Sequence, residues 1–279
     1  MNKKIIISCI IKNEQKNLKK FFKKIKEISN YFKDYFIIIV ESDSTDASYE
    51  LLKKYLINFN GILIKKKTNK YKFRTEKISS CRNEYLKFIY KNNKLNKFDY
   101  LLVVDVDNVN RLINGKKIIE SIQNSPKNWV GLFPNQFFYY DLWALRIKKY
   151  FEKDPYENLL KENLTKNSRN SYYNCLFKNF FLINKFKEKY INVESAFGGM
   201  GIYKLKLIKN CFYNSNNGKN SEHVMFHKII KKKNKKKLYI VKNLLNSFGL
   251  NDHFFKSLIY ILSEYYSNKL IQKFKKIYE

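Results

Sequence analysis

Two aspartates in the middle of the chain are the first place to look for chemistry. From Asp99 the sequence reads Asp-Tyr-Leu-Leu-Val-Val-Asp-Val-Asp-Asn, an apolar run that stops at two carboxylates, Asp105 and Asp107, spaced i, i+2. In extended backbone that spacing turns both side chains to one face, and at a strand end both can converge on one cation. Carboxylate oxygens suit a hard divalent ion, Mn²⁺ or Mg²⁺, which in turn suits phosphate groups. Two solvated turn carboxylates would read the same in isolation, so the neighbours matter. Polar clusters also stand at Lys12-Asn13-Glu14, at Glu41-Ser42-Asp43-Ser44-Thr45-Asp46 and at Glu222-His223.

The elements that would position these groups alternate in type. Ile5 to Ile11, Tyr35 to Val40 and Tyr100 to Val104 are β-branched or aliphatic runs of the kind buried on both faces of a sheet, and Gly61 to Ile64 is a shorter one. Helical spacing separates them, through Leu18, Phe21, Phe22, Ile25 and Ile28, through Leu51, Leu52 and Tyr55, and over Thr75 to Tyr90. Asp43, Ser44 or Thr45 is placed to cap the second of these helices, and Ser221 the helix that opens at Glu222. The pattern predicts an α/β fold with a mostly parallel central sheet flanked by helices, whose strand ends share one rim. Further on, Lys116 to Gln123 reads as a helix, Trp129 to Phe133 as a strand, and residues 150–190 as helices and loops over the sheet edge. Gly198-Gly199-Met200-Gly201 allows close approach of backbone to a ligand, or a tight bend in the core. Phe254 to Tyr278 has the pattern of a basic amphipathic helix. With no internal repeat and no Pro- or Gly-rich linker, one domain over 1–250 and a C-terminal helical extension over 251–279 is the simplest division.

At 279 residues, 44% hydrophobic and 17% aromatic, the chain has ample material for a core and is not a disordered sequence. Its net charge of +32 invites a nucleic-acid or anionic-membrane partner. The lysines are spread along nearly every segment, however, which reduces the weight of the total. Only Lys231-Lys232-Lys233-Asn234-Lys235-Lys236-Lys237 is a dense basic run, read as a solvated loop or a contact with an anionic bilayer. Cys9, Cys81, Cys175 and Cys211 lack metal-ligand spacing and read as buried free thiols. Met1 to Lys4 leads straight into a strand-like run and no apolar stretch approaches 18 residues, which predicts a cytoplasmic chain, or one peripheral at the membrane surface.

Taken in order, Ile11-Lys12-Asn13-Glu14, Glu41 to Asp46, Cys81-Arg82-Asn83 and Asp105-Val106-Asp107 resemble the nucleotide loop, acidic loop, Ala-Arg-Asn helix start and Asp-x-Asp of the GT-A fold nucleotide-sugar glycosyltransferases. The family commonly has Asp and Gly where this chain has Glu41 and Asp43. Tyr140 to Arg146 and Gly198 to Tyr203 resemble a narrower branch, the capsule-associated and mannan-type mannosyltransferases with their bacterial relatives. The resemblance covers most of residues 4–230. It implies transfer of a hexose, mannose being the branch's example, from a nucleotide diphosphate sugar to a glycan or lipid-linked acceptor, with nucleic acid not a partner.

The resemblance also implies roles. Asp105 and Asp107 would hold Mn²⁺ or Mg²⁺, with His223 or His253 as a further ligand ranked ahead of His227. Arg82 would clamp a phosphate oxygen, and Lys12, Asn13, Glu14, Glu41 and Asp43 would meet the nucleoside. Gly198 and Gly199 would let backbone approach the donor sugar, which Asp141, Trp143 and Arg146 would hold unless they only brace the cleft. Glu222 stands where many members carry an acidic pair, with His223 in place of the second acid. It would take the acceptor proton in an inverting enzyme, orient substrate in a retaining one, or simply stabilise its helix start. The rival readings are a haloacid-dehalogenase-like phosphohydrolase, which shares an apolar strand followed by Asp-x-Asp, and a basic nucleic-acid-binding protein without enzymatic activity.

Overall fold

The computed structural model describes residues 1–163 and 168–249. In chain order its elements are β1 (Lys4–Ile11), α1 (Leu18–Ser29), β2 (Asp34–Glu41), α2 (Ser48–Leu56), β3 (Gly61–Lys65), α3 (Arg74–Lys91), β4 (Tyr100–Val104), α4 (Gly115–Gln123), β5 (Trp129–Gln136), α5 (Pro155–Asn163), α6 (Ser168–Cys175), β6 (Tyr190–Val193), β7 (Met200–Lys204), α7 (Leu205–Ile208), α8 (Glu222–Asn234) and β8 (Lys237–Ser247). The C-terminal helix expected from Phe254 onward, and His253 with it, lie outside the described residues.

The strands form one sheet in the order β3-β2-β1-β4-β7-β5-β8-β6. β1 pairs in parallel with both β2 and β4, and β2 with β3. β7 runs antiparallel between β4 and β5, while β8 is parallel to β5 and antiparallel to β6. The sheet is therefore mostly parallel, as the alternation of elements predicts, with β6 and β7 reversed.

Strand alternation feeds two cores. Ile6, Ile38, Val40, Leu101 and Val103 face the layer that contains α3 and α8. Ile5, Ile7, Ile37, Ile39, Leu102 and Val104 face the layer of α1, α2 and α4. At roughly 1.5–3 kcal/mol per fully buried aliphatic side chain, these layers can carry the cost of partly desolvated charges at the rim. β5 is less regular, because Pro134 has no N–H for the ladder and the pairing with β8 shifts register between Phe133 and Asn135.

The order β3-β2-β1-β4 makes the chain change direction between β1 and β4. Such a switch point opens a crevice beyond the strand ends, and the turns after β1 and β4 carry Lys12-Asn13-Glu14 and Asp105-Val106-Asp107. All four cysteines are buried and unpaired, as expected. The basic run is not a loop: Lys231 to Lys233 form the last turn of α8, where cations suit the helix dipole, and Lys237 opens β8. Among the described residues no helix is long and apolar enough to cross a membrane.

Candidate active site

The turns after β1 and β2 are laced together by side chains. Asn13 N–H donates to Ser44 Oγ at 3.0 Å, and Asn13 Oδ1 accepts from Thr45 N–H at 2.7 Å. Glu14 N–H donates to Ser48 Oγ at 2.8 Å. Asn13 and Asp43 both have positive φ, 56° and 53°, a conformation these short polar residues tolerate better than most. Asp43 accepts from Thr68 N–H at 2.9 Å and Thr68 Oγ1 at 2.5 Å, and those bonds hold its carboxyl below the usual range. Glu41 is buried and accepts from Ser44 N–H at 2.8 Å. The bond at the start of α2 comes from Asp46, whose Oδ1 accepts from Ser48 N–H at 2.9 Å, rather than from the three residues expected to cap it.

At the end of β4 the backbone is held from the β7 side. Asp105 N–H donates to Gly199 O at 2.9 Å, and Asn110 Nδ2 donates to both Asp105 O and Gly199 O. Asp107 Oδ1 accepts from Val109 N–H at 3.3 Å and caps a single 3₁₀ turn over Asn108–Asn110. Gly199 has φ +88°, and a Cβ there would lie 2.3 Å from Val109 Cγ1. Gly198, at φ +62°, donates its N–H to Asp141 Oδ2 at 2.9 Å.

The facing wall is built by α3 and α8. Arg82 has a side chain only 4% exposed, and places Nη2 3.5 Å from Asp105 Oδ1 and Nε 3.4 Å from Glu222 Oε1. Its guanidinium lies 4.9 Å from the Phe197 ring centre and 5.6 Å from that of Tyr213, while Nη1 has no hydrogen-bond partner. His223 stacks on Phe197 with centres 3.8 Å apart, and its Nε2 is 3.5 Å from Glu222 Oε1. Burial keeps this imidazole neutral, and neither ring nitrogen has a hydrogen-bond partner.

These walls enclose a cavity of about 750 Å³ lined by Lys12, Glu14, Arg82, Asp105, Asp107, Asp141, Trp143, Glu222 and His223 among the residues singled out from sequence. Its electrostatics are strained. Desolvation, opposed by Arg82 and reinforced by Asp107, Asp141 and Glu222, raises Asp105 to about 7. Partial desolvation in the cleft also raises Asp107, whose side chain keeps an exposed edge, and burial raises Asp141 and Glu222, against the pull of a backbone N–H on the first, of two on the second and of Arg82 on the third. A site with more carboxylate than one arginine can neutralise is ready to accept a cation.

Other expected residues stand behind this lining. Asn13, Glu41 and Asp43 tie the turns together as described. Arg146 is turned inward: Nη2 meets Asp154 Oδ2 at 2.9 Å, and Nη1 donates to the carbonyls of Leu142, Trp143 and Leu145. Of the two functions open for it, the geometry shows the bracing one. The tight approach at Gly198 and Gly199 is to Tyr139 and Val109, which makes the pair a core bend that holds Asp141 and Asp105. His227 is fully used by Ser195 Oγ and Tyr203 Oη, each at 2.8 Å. The cavity also includes Tyr140 and Phe197, which lie in or beside stretches singled out for other residues, and Thr68, Lys72, Arg74, Lys77 and Tyr156, which the sequence reading passed over. The lysines and arginine of residues 66–77 were the available signal, hidden in a chain rich in such residues throughout.

Comparison with known proteins decides between the readings left open. The profile of Glycosyl transferase family 2 matches residues 5–212. The chain belongs to that family. The phosphohydrolase and non-enzymatic alternatives therefore fall. Curated proteins compared by sequence yield no match. Among solved structures, a mannosyltransferase from Pyrobaculum calidifontis, PcManGT, in complex with GDP-Man and Mn²⁺, superimposes with a TM-score of 0.53 at 9% identity over 90% of this chain and 58% of its own. S. aureus TarS 1–349 gives 0.51 at 13% identity over 94% of this chain and 65% of its own. At such identities the likeness speaks for the fold, which is the GT-A fold expected. The family 2 chain spans about three-fifths of these solved chains, 58% and 65%.

Whether the family 2 cleft suits a divalent ion can be judged from its donors. Among the described residues no three His, Cys, Asp or Glu side chains cluster closely enough to cage a metal alone. Asp105 and Asp107 nonetheless line one cavity, where the negative charge of Asp107 helps to raise Asp105. Mg²⁺ and comparable ions are commonly held by one or two carboxylates, with substrate phosphates and water completing the shell. The residues present fit that mode.

Proposed function

We propose that this chain is a metal-dependent glycosyltransferase that moves a hexose from a nucleoside diphosphate sugar to a hydroxyl of a glycan or lipid-linked acceptor. One observation carries this reading: Asp105, Asp107, Arg82, Asp141 and Glu222 converge in one cavity at the sheet's switch point. PcManGT with GDP-Man and Mn²⁺, and TarS with UDP-GlcNAc, supply parallels for the donor class. Mannose is the hexose suggested by the sequence resemblance.

Asp105 and Asp107 would hold Mn²⁺ or Mg²⁺, with phosphate and water completing the shell; the further ligand expected of His223 does not fit, since no third His, Cys, Asp or Glu among the described residues clusters with the two aspartates. When bound, the ion supplies positive charge that stabilises the departing diphosphate. Arg82, with Nη1 free, donates to a phosphate oxygen. Lys12, Glu14 and Thr68 border the nucleoside, while Asn13, Glu41 and Asp43 hold the turns that present them. Asp141 and Trp143 face the donor sugar. Asp141 is fixed by Gly198 N–H and Ala144 N–H, which leaves Glu222 as the base. Glu222 takes the proton from the acceptor hydroxyl, whose oxygen bonds to the anomeric carbon. The bond from that carbon to the diphosphate oxygen breaks, and its electron pair leaves with the nucleotide, inverting the centre.

Thermal shift against a panel of nucleoside diphosphates, with and without Mn²⁺, tests the reading. Stabilisation by at least one nucleotide that depends on Mn²⁺ is expected, and a donor-hydrolysis screen then names the sugar. Indifference to every nucleotide in the presence of Mn²⁺ would refute it.

A further inference from the structure

The opposite end of the sheet has a cavity of its own. It is about 810 Å³, within the range of small-molecule sites, and lies where β1 and β4 begin and β7 ends. Seven lysines line it, including Lys204, Lys206, Lys209 and Lys236, against one carboxylate, Asp99. Asp99 is already engaged, accepting from Lys3 Nζ and Lys4 N–H at 2.9 Å each. The catalytic cleft, by contrast, mixes five carboxylates with five cations.

The lysine cavity is a built feature rather than a scatter of surface charge. Lys204 is half-buried, with Nζ 4.5 Å from the Trp129 ring centre and 3.3 Å from Lys127 O. Trp129 stacks on Tyr100, and Tyr90, Phe98 and Tyr100 give the cavity an apolar floor. Asn234 Nδ2 donates to Leu207 O at 2.6 Å and Lys233 Nζ to Lys209 O, so the end of α8 is tied to α7 and delivers Lys236 to the same place. Burial and the neighbouring Lys236 both disfavour the charged form of Lys204, the mark of positive charge without a counterion.

We propose that this cavity is a second ligand site that binds a phosphate-bearing anion at the end of the sheet remote from the catalytic cleft. Its concavity favours a discrete anionic group, and its aromatic floor would pack the carbon skeleton attached to the phosphate. The proposal does not depend on the glycosyltransferase reading. Two sources share the chemistry, a free polyphosphate and a lipid phosphate headgroup.

The test is lysine-acetylation footprinting of the full chain by mass spectrometry, in chelator so that the catalytic cleft holds no metal. One arm uses inorganic tripolyphosphate, the other phosphatidylcholine vesicles containing phosphatidic acid. Protection of Lys204, Lys206, Lys209 and Lys236 by at least about threefold is expected in one arm or both, with Lys19, Lys20 and Lys23 on the exposed face of α1 unchanged; the responding arm identifies the source. Affinity for that probe should fall about tenfold or more in the Lys204→Gln, Lys206→Gln, Lys236→Gln variant. It should change less than about twofold in the Lys19→Gln, Lys20→Gln, Lys23→Gln variant, which loses the same charge elsewhere. No protection in either arm, uniform protection of all lysines, or equal losses in the two variants would overturn the site. The wild-type footprint decides the matter even if the first variant fails to fold.

Discussion

The two halves of the sheet build the cleft by different means. In the half β3-β2-β1-β4, strands run parallel in unbroken register, and the turns beyond them are held by local polar side chains at the exposed rim. In the half β7-β5-β8-β6, strands reverse and slip register, and a buried amide network does the holding. Gln136 Nε2 donates to Gly198 O and Asn246 Oδ1, and Asn246 Nδ2 donates to Gly198 O and Asn110 Oδ1, all between 2.7 and 3.1 Å. Asn110 passes the restraint to Asp105 O and Gly199 O. The first half therefore offers the cleft's rim turns, and the second fixes the backbone behind Asp105, Gly198 and Asp141. A rim held by exposed bonds can adjust to a ligand, whereas a buried network must be complete to be stable.

The seam between the halves should be most sensitive. Asp107→Ala is expected to lower transfer by about 10³-fold or more, since it removes a cation ligand whose charge stabilisation is worth several kcal/mol. The melting temperature should move little, because Asp107 makes one capping bond. Normal turnover would remove Asp107 from the site. On the second half, Glu222→Gln should cost about 10²–10⁴ in kcat with nucleotide diphosphate affinity nearly unchanged, as for loss of a general base. A wild-type rate would reduce Glu222 to a partner of Arg82 and a helix-start residue.

The two holding devices can then be compared directly. Asn246→Ala strands Asn110 Oδ1 and leaves Gln136 Nε2 and Gly198 O only their bond to each other, and should destabilise the chain by about 2–4 kcal/mol in denaturant titration, since each buried unmade bond costs about 1–3 kcal/mol. Asn13→Ala removes the exposed bonds from Thr45 N–H and Thr45 Oγ1 and leaves alanine at positive φ, for about 1–2 kcal/mol. Its kinetic effect should fall on donor KM rather than kcat. Equal losses from the two substitutions would erase the distinction between the halves.

The same difference explains what was legible in the sequence. β1 to β4, their helices and the three rim clusters follow from local period and composition, because β1, β4 and most of β2 are buried on both faces and each crossover is a separate helix. β7 was read only as a glycine-rich bend, and β8, with its Lys-Leu-Tyr-Ile-Val start, stood behind a basic run taken for a loop. The amide network joins Gln136 to Asn246 across 110 residues and Asn110 to Asn246 across 136, so no local pattern announces it. Arg146 shows the limit at the site itself. Its resemblance to the narrower branch left sugar binding and bracing both open, and its carboxylate partner, Asp154, lay eight residues on and turned it inward.

The smallest expected effect is on pH dependence, and one isosteric substitution isolates it. Asp105 has a folded-state value of about 7 against an ordinary 3.8, so the folded chain binds this proton where the unfolded chain does not. Stability from that proton is fully present below about pH 4 and is lost as pH rises through 7. Asp107, Asp141 and Glu222 are shifted in the same direction and add to the trend. His223 and His227, both held below their ordinary value by burial, work the opposite way over the same interval, so the carboxylate contribution is read as a difference from an Asp105→Asn variant. In chelator, the wild type should lose melting temperature relative to that variant between pH 6 and pH 8, by a few degrees at most because Arg82 already offsets part of the repulsion. Added Mn²⁺ should recover the loss chiefly at the upper end, where the carboxylates are free of protons and the ion has no competitor. A chelated wild type that loses no melting temperature relative to Asp105→Asn across that interval would mean that Asp105 is already neutralised from within, and that the carboxylate repulsion on which cation binding rests does not exist.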